Sequence, residues 1–133
     1  AIKDGTIDVI ATDHAPHLLV DKEKEFDNAP FGLIGLETAL SLAVTRLIDK
    51  KILTWPGLIR KLTFNPSQIL HYNRGTLKAG AVADLVIIDP KRKWIYSKDQ
   101  IKSKSQNSPF IDWEMKAKVE QVFVAGKMVL DVL

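Results

Sequence analysis

Apolar positions change their spacing along this chain, and the change falls near residue 75. Before it, Leu36, Ala39, Leu40, Ala43 and Leu47 recur as one stripe with helical period, which predicts a helix with a single buried face. A second helix is expected from Thr54, a good N-cap, with Pro56 in its first turn and Leu58, Ile59 and Leu62 turned inward. Asn65-Pro66 suggests the same device again, Asn65 capping and Pro66 opening a short helix to His71. The opening differs. Ile7 to Ala11 is a β-branched run after Gly5 and reads as a buried strand, and Ala1 to Gly5 reads as a helix tail ended by glycine. Between strand and helix, Leu18 to Asn28 is charged, shows no helical stripe and reads as a loop.

After Gly75 the runs are short and rich in valine and isoleucine. Gly75 to Asp89 predicts a turn followed by a buried strand, and Lys93 to Tyr96 another beyond a turn at Pro90. Ser97-Lys98-Asp99-Gln100 has the spacing of a capping box on one helical turn. Val119 to Val124 and Lys127 to Leu130, separated by Ala125-Gly126, read as a hairpin. A strand, a loop and a helix, then several short strands, make an α/β protein in two parts with a seam at residues 72–75.

Composition narrows the chemistry more than the fold. The 133 residues include no cysteine, so disulfides and thiolate metal sites are excluded, and any metal must sit on His and carboxylate. No apolar run is long enough for a transmembrane helix, and the lack of cysteine makes a cytoplasmic protein the default expectation. The net charge of +3 is small and scattered. Lys91-Arg92-Lys93 is the one dense basic cluster, and it reads as a solvated bend, not a nucleic-acid surface. The chain does not start with Met, and with the helix-like tail at Ala1 this gives the expectation of a segment from a longer protein.

The candidate chemistry lies at the end of the first strand. Pro16 forbids a continuing ladder, so Thr12-Asp13-His14-Ala15-Pro16-His17 forms a polar turn at a strand's carboxyl end, where parallel α/β proteins place their sites. Spacing alone leaves Asp13 open as a metal ligand, a proton carrier or a turn cap. Gly32 and Gly35, just before the helix, allow either close approach to a ligand or merely a tight junction.

The two motifs Thr12-Asp13-His14-Ala15-Pro16-His17 and Asn28-Ala29-Pro30-Phe31-Gly32-Leu33-Ile34-Gly35-Leu36-Glu37-Thr38, with the spacing between them, resemble the closing section of long-loop type I dihydroorotases, which are cyclic amidohydrolases. Gly75-Thr76-Leu77 with Ala83-Asp84-Leu85-Val86, and Ser103 to Phe110, also resemble the tail of that group, although Asp112 and Ala117 stand where the tail often has glycine. The resemblance implies that residues 1–74 are the end of a (β/α)8 TIM barrel, its last strand and following helices. Residues 75–133 would be the C-terminal part of a small flanking β-sandwich. It implies a zinc enzyme, with one or two ions, that interconverts N-carbamoyl-L-aspartate and L-dihydroorotate in pyrimidine biosynthesis.

In that picture Asp13 is both metal ligand and catalytic proton carrier, while His17 and the backbone of Phe31 and Gly32 contact the substrate. His14 receives no role, and a His14/His17 zinc pair is less favoured than Asp13 as a single ligand. The other ligands would lie outside this chain, leaving the segment inactive by itself. The implied partners are the small-molecule substrate, further copies of the chain and an aspartate transcarbamoylase, with no nucleic acid or membrane. Two alternatives stand beside this one: an allantoinase or hydantoinase, and a non-catalytic dihydroorotase-like subunit.

Overall fold

A computed structural model describes residues 1–132; Leu133, the last residue of the expected flanking segment, lies outside the described residues. The helices come first. Helix α1 (Leu19–Lys22) and a 3-10 turn (Phe26–Asn28) interrupt the stretch expected to be loop. Helix α2 (Ala39–Ala43) continues directly into a π-helical stretch (Val44–Ile48), and α3 (Trp55–Leu62) and α4 (Phe64–Ile69) follow. Strands β1 (Leu85–Ile95), β2 (Glu114–Val124) and β3 (Lys127–Asp131) then form an antiparallel sheet in the order β1-β2-β3. Among the described residues no helix is long and apolar enough to cross a membrane.

The apolar stripe explains the packing. Ala43 and Val44 are buried with Leu58 of α3 and Ala117 of β2, and Leu40, Leu47, Leu62 and Ile88 pack around them. One core therefore joins the helical part to the sheet. Ala117 ties it further: its carbonyl accepts from Ser41 Oγ at 2.8 Å and from Trp94 Nε1 at 3.1 Å. Leu36, expected on the stripe, precedes the helix and is exposed.

The remaining local expectations divide by whether a neighbour competes for the side chain. Thr54 caps α3 as expected, its hydroxyl accepting from Gly57 N at 3.3 Å. Asn65 does not cap: α4 starts earlier, at Phe64, and the Asn65 amide donates to the Asp8 carbonyl at 2.8 Å. Ser97 likewise makes no side-chain cap on the 3-10 turn Lys98–Gln100. Pro90 does not separate two strands. Asp89 Oδ1 accepts from Lys91 N at 2.8 Å and Arg92 N at 3.2 Å, so the chain bulges and β1 continues.

Residues 7–11, expected as a strand, join no ladder. A parallel strand needs neighbours, and no other strand lies beside this one among the described residues. Its backbone groups turn to the helices instead. Ile10 N donates to the Lys61 carbonyl at 3.1 Å, and Lys61 Nζ donates to the Ile7 carbonyl. At the start of the chain, Thr6 N donates to the Ala1 carbonyl at 3.1 Å around Gly5 at φ 90°, the closing bond of a glycine-terminated helical turn.

Candidate functional site

The chain kinks at Asp13, whose φ of 45° lies in the left-handed region that Asp tolerates better than most residues. Its carboxylate is exposed and makes no hydrogen bond or ion pair among the described residues, so it does not cap the turn. Directly after it, Ala15 N donates to the Leu33 carbonyl at 2.9 Å, and His14 forms a single parallel bridge with Leu33. His14 Nδ1 accepts from Gly35 N at 3.1 Å and Leu36 N at 3.4 Å. An accepting Nδ1 carries no proton, which fixes the neutral ring with its hydrogen on Nε2. His14 thus has a structural task the sequence did not reveal: it binds the free N–H groups ahead of α2.

His17, Phe31 and Gly32 come together. His17 Nε2 donates to the Phe31 carbonyl at 2.8 Å, since a carbonyl can only accept. Gly32 has φ 108°, and a Cβ there would lie 2.5 Å from Ala15 Cβ and 3.5 Å from His17 Nε2. Only glycine fits. Lys22 Nζ donates to the carbonyls of Pro30 at 2.8 Å and Gly32 at 3.2 Å. Three successive carbonyls are therefore engaged by side-chain donors. The Phe31 ring itself is exposed.

A distant segment completes the cluster. Asn107 Nδ2 donates to the carbonyls of Ala15 at 2.9 Å and Gly32 at 3.3 Å, and Asn107 Oδ1 accepts from Ser105 Oγ at 2.7 Å and His17 N at 3.3 Å. The Asn107 carbonyl accepts from Ile34 N at 3.1 Å, and the single Ser105 hydroxyl hydrogen has the His17 carbonyl as its alternative acceptor. This segment is held in turn by Glu37, whose Oε1 accepts from Lys102 N at 2.9 Å and Ser103 N at 3.0 Å. Glu37 Oε2 accepts from the Tyr96 hydroxyl at 3.3 Å. Burial of Tyr96 and then the Glu37 charge push its phenol up to about 12. Asn107, Ser105, Lys22 and Glu37 were missed as site residues; the sequence signals were the family-like runs, Ser103 to Phe110 for Ser105 and Asn107 and Asn28 to Thr38 for Glu37.

A cavity of about 750 Å³ opens beside the cluster, lined by His17, Lys22, Gly32, Lys104, Ser105 and Asn107 among others. Asp13 does not line it. The hollow is mostly apolar, with Leu18, Leu19, Leu33 and Pro109 in its wall beside Lys22 and Lys104, and the free carboxylate of Asp13 lies apart from it. The donor set does not make a zinc site: no group of three or more His, Cys, Asp or Glu able to hold a metal occurs among the described residues. Zinc takes about four ligands, and the one candidate ligand here is Asp13.

Comparison with known proteins agrees with this architecture. Residues 1–129 match the amidohydrolase family. The dihydroorotase of Geobacter metallireducens is 51% identical over 129 residues, 97% of this chain and 30% of that protein. The dihydroorotase of Clostridium acetobutylicum is 50% identical over 131 residues, 98% of this chain and 31% of that protein. The chain thus spans about 30% of the length of the relatives it matches. Among solved structures, the L-hydantoinase from Arthrobacter aurescens superposes with a TM-score of 0.89 at 29% identity, over 98% of this chain and 30% of that one. An inactive dihydroorotase-like domain from Chaetomium thermophilum superposes less well, at 0.63 and 22% identity. The α/β architecture, part of a (β/α)8 barrel with strands of the flanking β-domain, is the one expected from the sequence. With the family matched along nearly its whole length and the fold shared throughout, the chain belongs to the amidohydrolase family.

Proposed function

We propose that this chain is the closing segment of a dihydroorotase, which interconverts N-carbamoyl-L-aspartate and L-dihydroorotate in cytoplasmic pyrimidine biosynthesis. The observation that carries the reading is the His17–Phe31–Gly32 cluster at the cavity, in a chain 51% identical to a dihydroorotase. A ring with amides and one carboxylate needs fixed donors and acceptors, and His17 with the Phe31-Gly32 backbone supplies them at low steric cost. Asp13 supports the proton role by being exposed, unpartnered and held on a kinked backbone. In ring opening it takes a proton from the attacking water, and the departing ring nitrogen receives that proton as the C–N bond breaks. Ring closure reverses both transfers.

One or two zinc ions would supply Lewis acidity, with Asp13 as one ligand and the rest outside these residues. Exposed apolar residues on the sheet, including Val86, Met128 and Val129, support association with further protein surface: the rest of a longer chain, another copy, or an aspartate transcarbamoylase. A hydantoinase is the second reading, favoured by the close superposition on the Arthrobacter enzyme. Turnover of dihydroorotate against hydantoin by the complete protein separates the two.

The catalytic assignment is tested by Asp13→Asn in the complete, metal-loaded protein. Asn keeps the shape and cannot accept the proton, so kcat should fall ~10²–10⁴-fold in both directions. Near-normal turnover with metal retained would overturn the proton role of Asp13.

A further inference from the structure

We propose that Asn107 is a positioning residue that fixes which nitrogen His17 offers to a ligand; this rests on the reading of His17 as a substrate contact. The His17 ring has two nitrogens. Nε2 is spent on the Phe31 carbonyl, and Nδ1 has no partner among the described residues. Nδ1 is therefore the nitrogen available at the cavity that His17 lines, an acceptor in the neutral ring and a donor once protonated. The arrangement lasts only while the His17 turn and the Phe31-Gly32 loop stay in register, and one side chain spans both.

Asn107 reaches Ala15 and Gly32 with its amide nitrogen and the His17 backbone with its amide oxygen. No other side chain among the described residues bonds to both segments through two polar ends of opposite kind. Lys22 touches only the loop carbonyls, and Ser105 only the His17 backbone and Asn107. Glu37 anchors the segment that delivers Asn107, so the clasp is held from behind as well. Replacing Nδ2 by oxygen would set a carboxylate against two carbonyls that need a donor.

Two measurements test this on Asn107→Asp, with Asn107→Ala as the second variant. The first is independent of activity: ring ¹⁵N shifts of His14, His17 and His71, the three histidines of this chain, read in the complete protein. Neutral wild-type His17 should show the Nε2–H form, and both variants should show mixed tautomers at His17 while His71 is unchanged. A His17 signal that stays in the Nε2–H form in both folded variants overturns the proposal.

The second measurement is a double-mutant cycle on KM for dihydroorotate in the complete protein. Asn107→Ala and His17→Ala should each raise KM about tenfold or more, and the double variant should be no worse than His17→Ala alone. Additive effects overturn the proposal, because a merely structural Asn107 acts independently of the ring. If the wild-type protein turns over no dihydroorotate, the functional reading fails, and the ¹⁵N shifts still decide the role of Asn107.

Discussion

Gly32→Ala is the perturbation whose size follows most directly from the geometry. Gly32 sits at φ 108°, and an added Cβ meets Ala15 Cβ at 2.5 Å. Carbon atoms in contact prefer roughly 3.5–4.0 Å, so the two segments must separate by about 1 Å. Overpacking of that kind costs about 1–3 kcal/mol, and holding alanine at such a φ adds about 1–3 kcal/mol. Gly80 is the control, because its φ is 83° and nothing lies within 4 Å of an added Cβ. Gly80→Ala should show the backbone strain alone, about 1–2 kcal/mol. The stabilisation from a stiffer unfolded chain is common to both and cancels in the difference. Chemical denaturation should therefore rank Gly32→Ala about 2 kcal/mol below Gly80→Ala, if the loop holds its place. If the loop moves instead, the lost stability shrinks and the His17–Phe31 bond breaks, which the ring ¹⁵N shift of His17 reports. Equal stabilities together with an unchanged His17 ring would refute the close packing of Gly32 on Ala15.

Three further outcomes are expected. The 133-residue chain should hold zinc weakly and turn over no dihydroorotate, since it offers one candidate ligand where about four are needed; stoichiometric zinc by elemental analysis with measurable turnover would contradict this. Tyr96 should keep its proton until about pH 12, so stability is full below about pH 10, the ordinary phenol value, and falls as pH rises through 12; Glu37→Gln should move the phenolate absorbance change to lower pH. Ala125 has φ 50° and Gly126 φ 78°, the two left-handed positions of a tight hairpin turn, so Ala125→Asn should stabilise by about 1 kcal/mol in thermal melts.

Much of the fold was legible because its signals are local. The stripe from Ala39 to Leu47 marks a helix that buries Ala43 and Val44, and Ala125-Gly126 marks the turn between β2 and β3. The two departures from glycine, Asp112 and Ala117, do stand at left-handed positions, at φ 66° and 64°. Local signals failed where a distant group competed. Asn65 looked like a cap and is drawn to Asp8, and the run at Ile7 looked like a paired strand and is bonded to Lys61 and Asn65. The site shows the same division. Asp13, His17, Phe31 and Gly32 were singled out from neighbouring motifs, but Asn107 and Glu37 join elements that no short window contains.

The bond from Asn107 to Ala15 spans 92 positions, and this sets an order of events in synthesis. A ribosome adds about 5–20 residues per second, so roughly 5–20 s separate the emergence of the Asp13–His17 turn from that of its clasp. Through that interval the nascent turn has its histidines and its carboxylate but not the amide that aligns them. Translation must pass Asn107 before the cluster can close, so a polypeptide released early carries the motif without the assembled site.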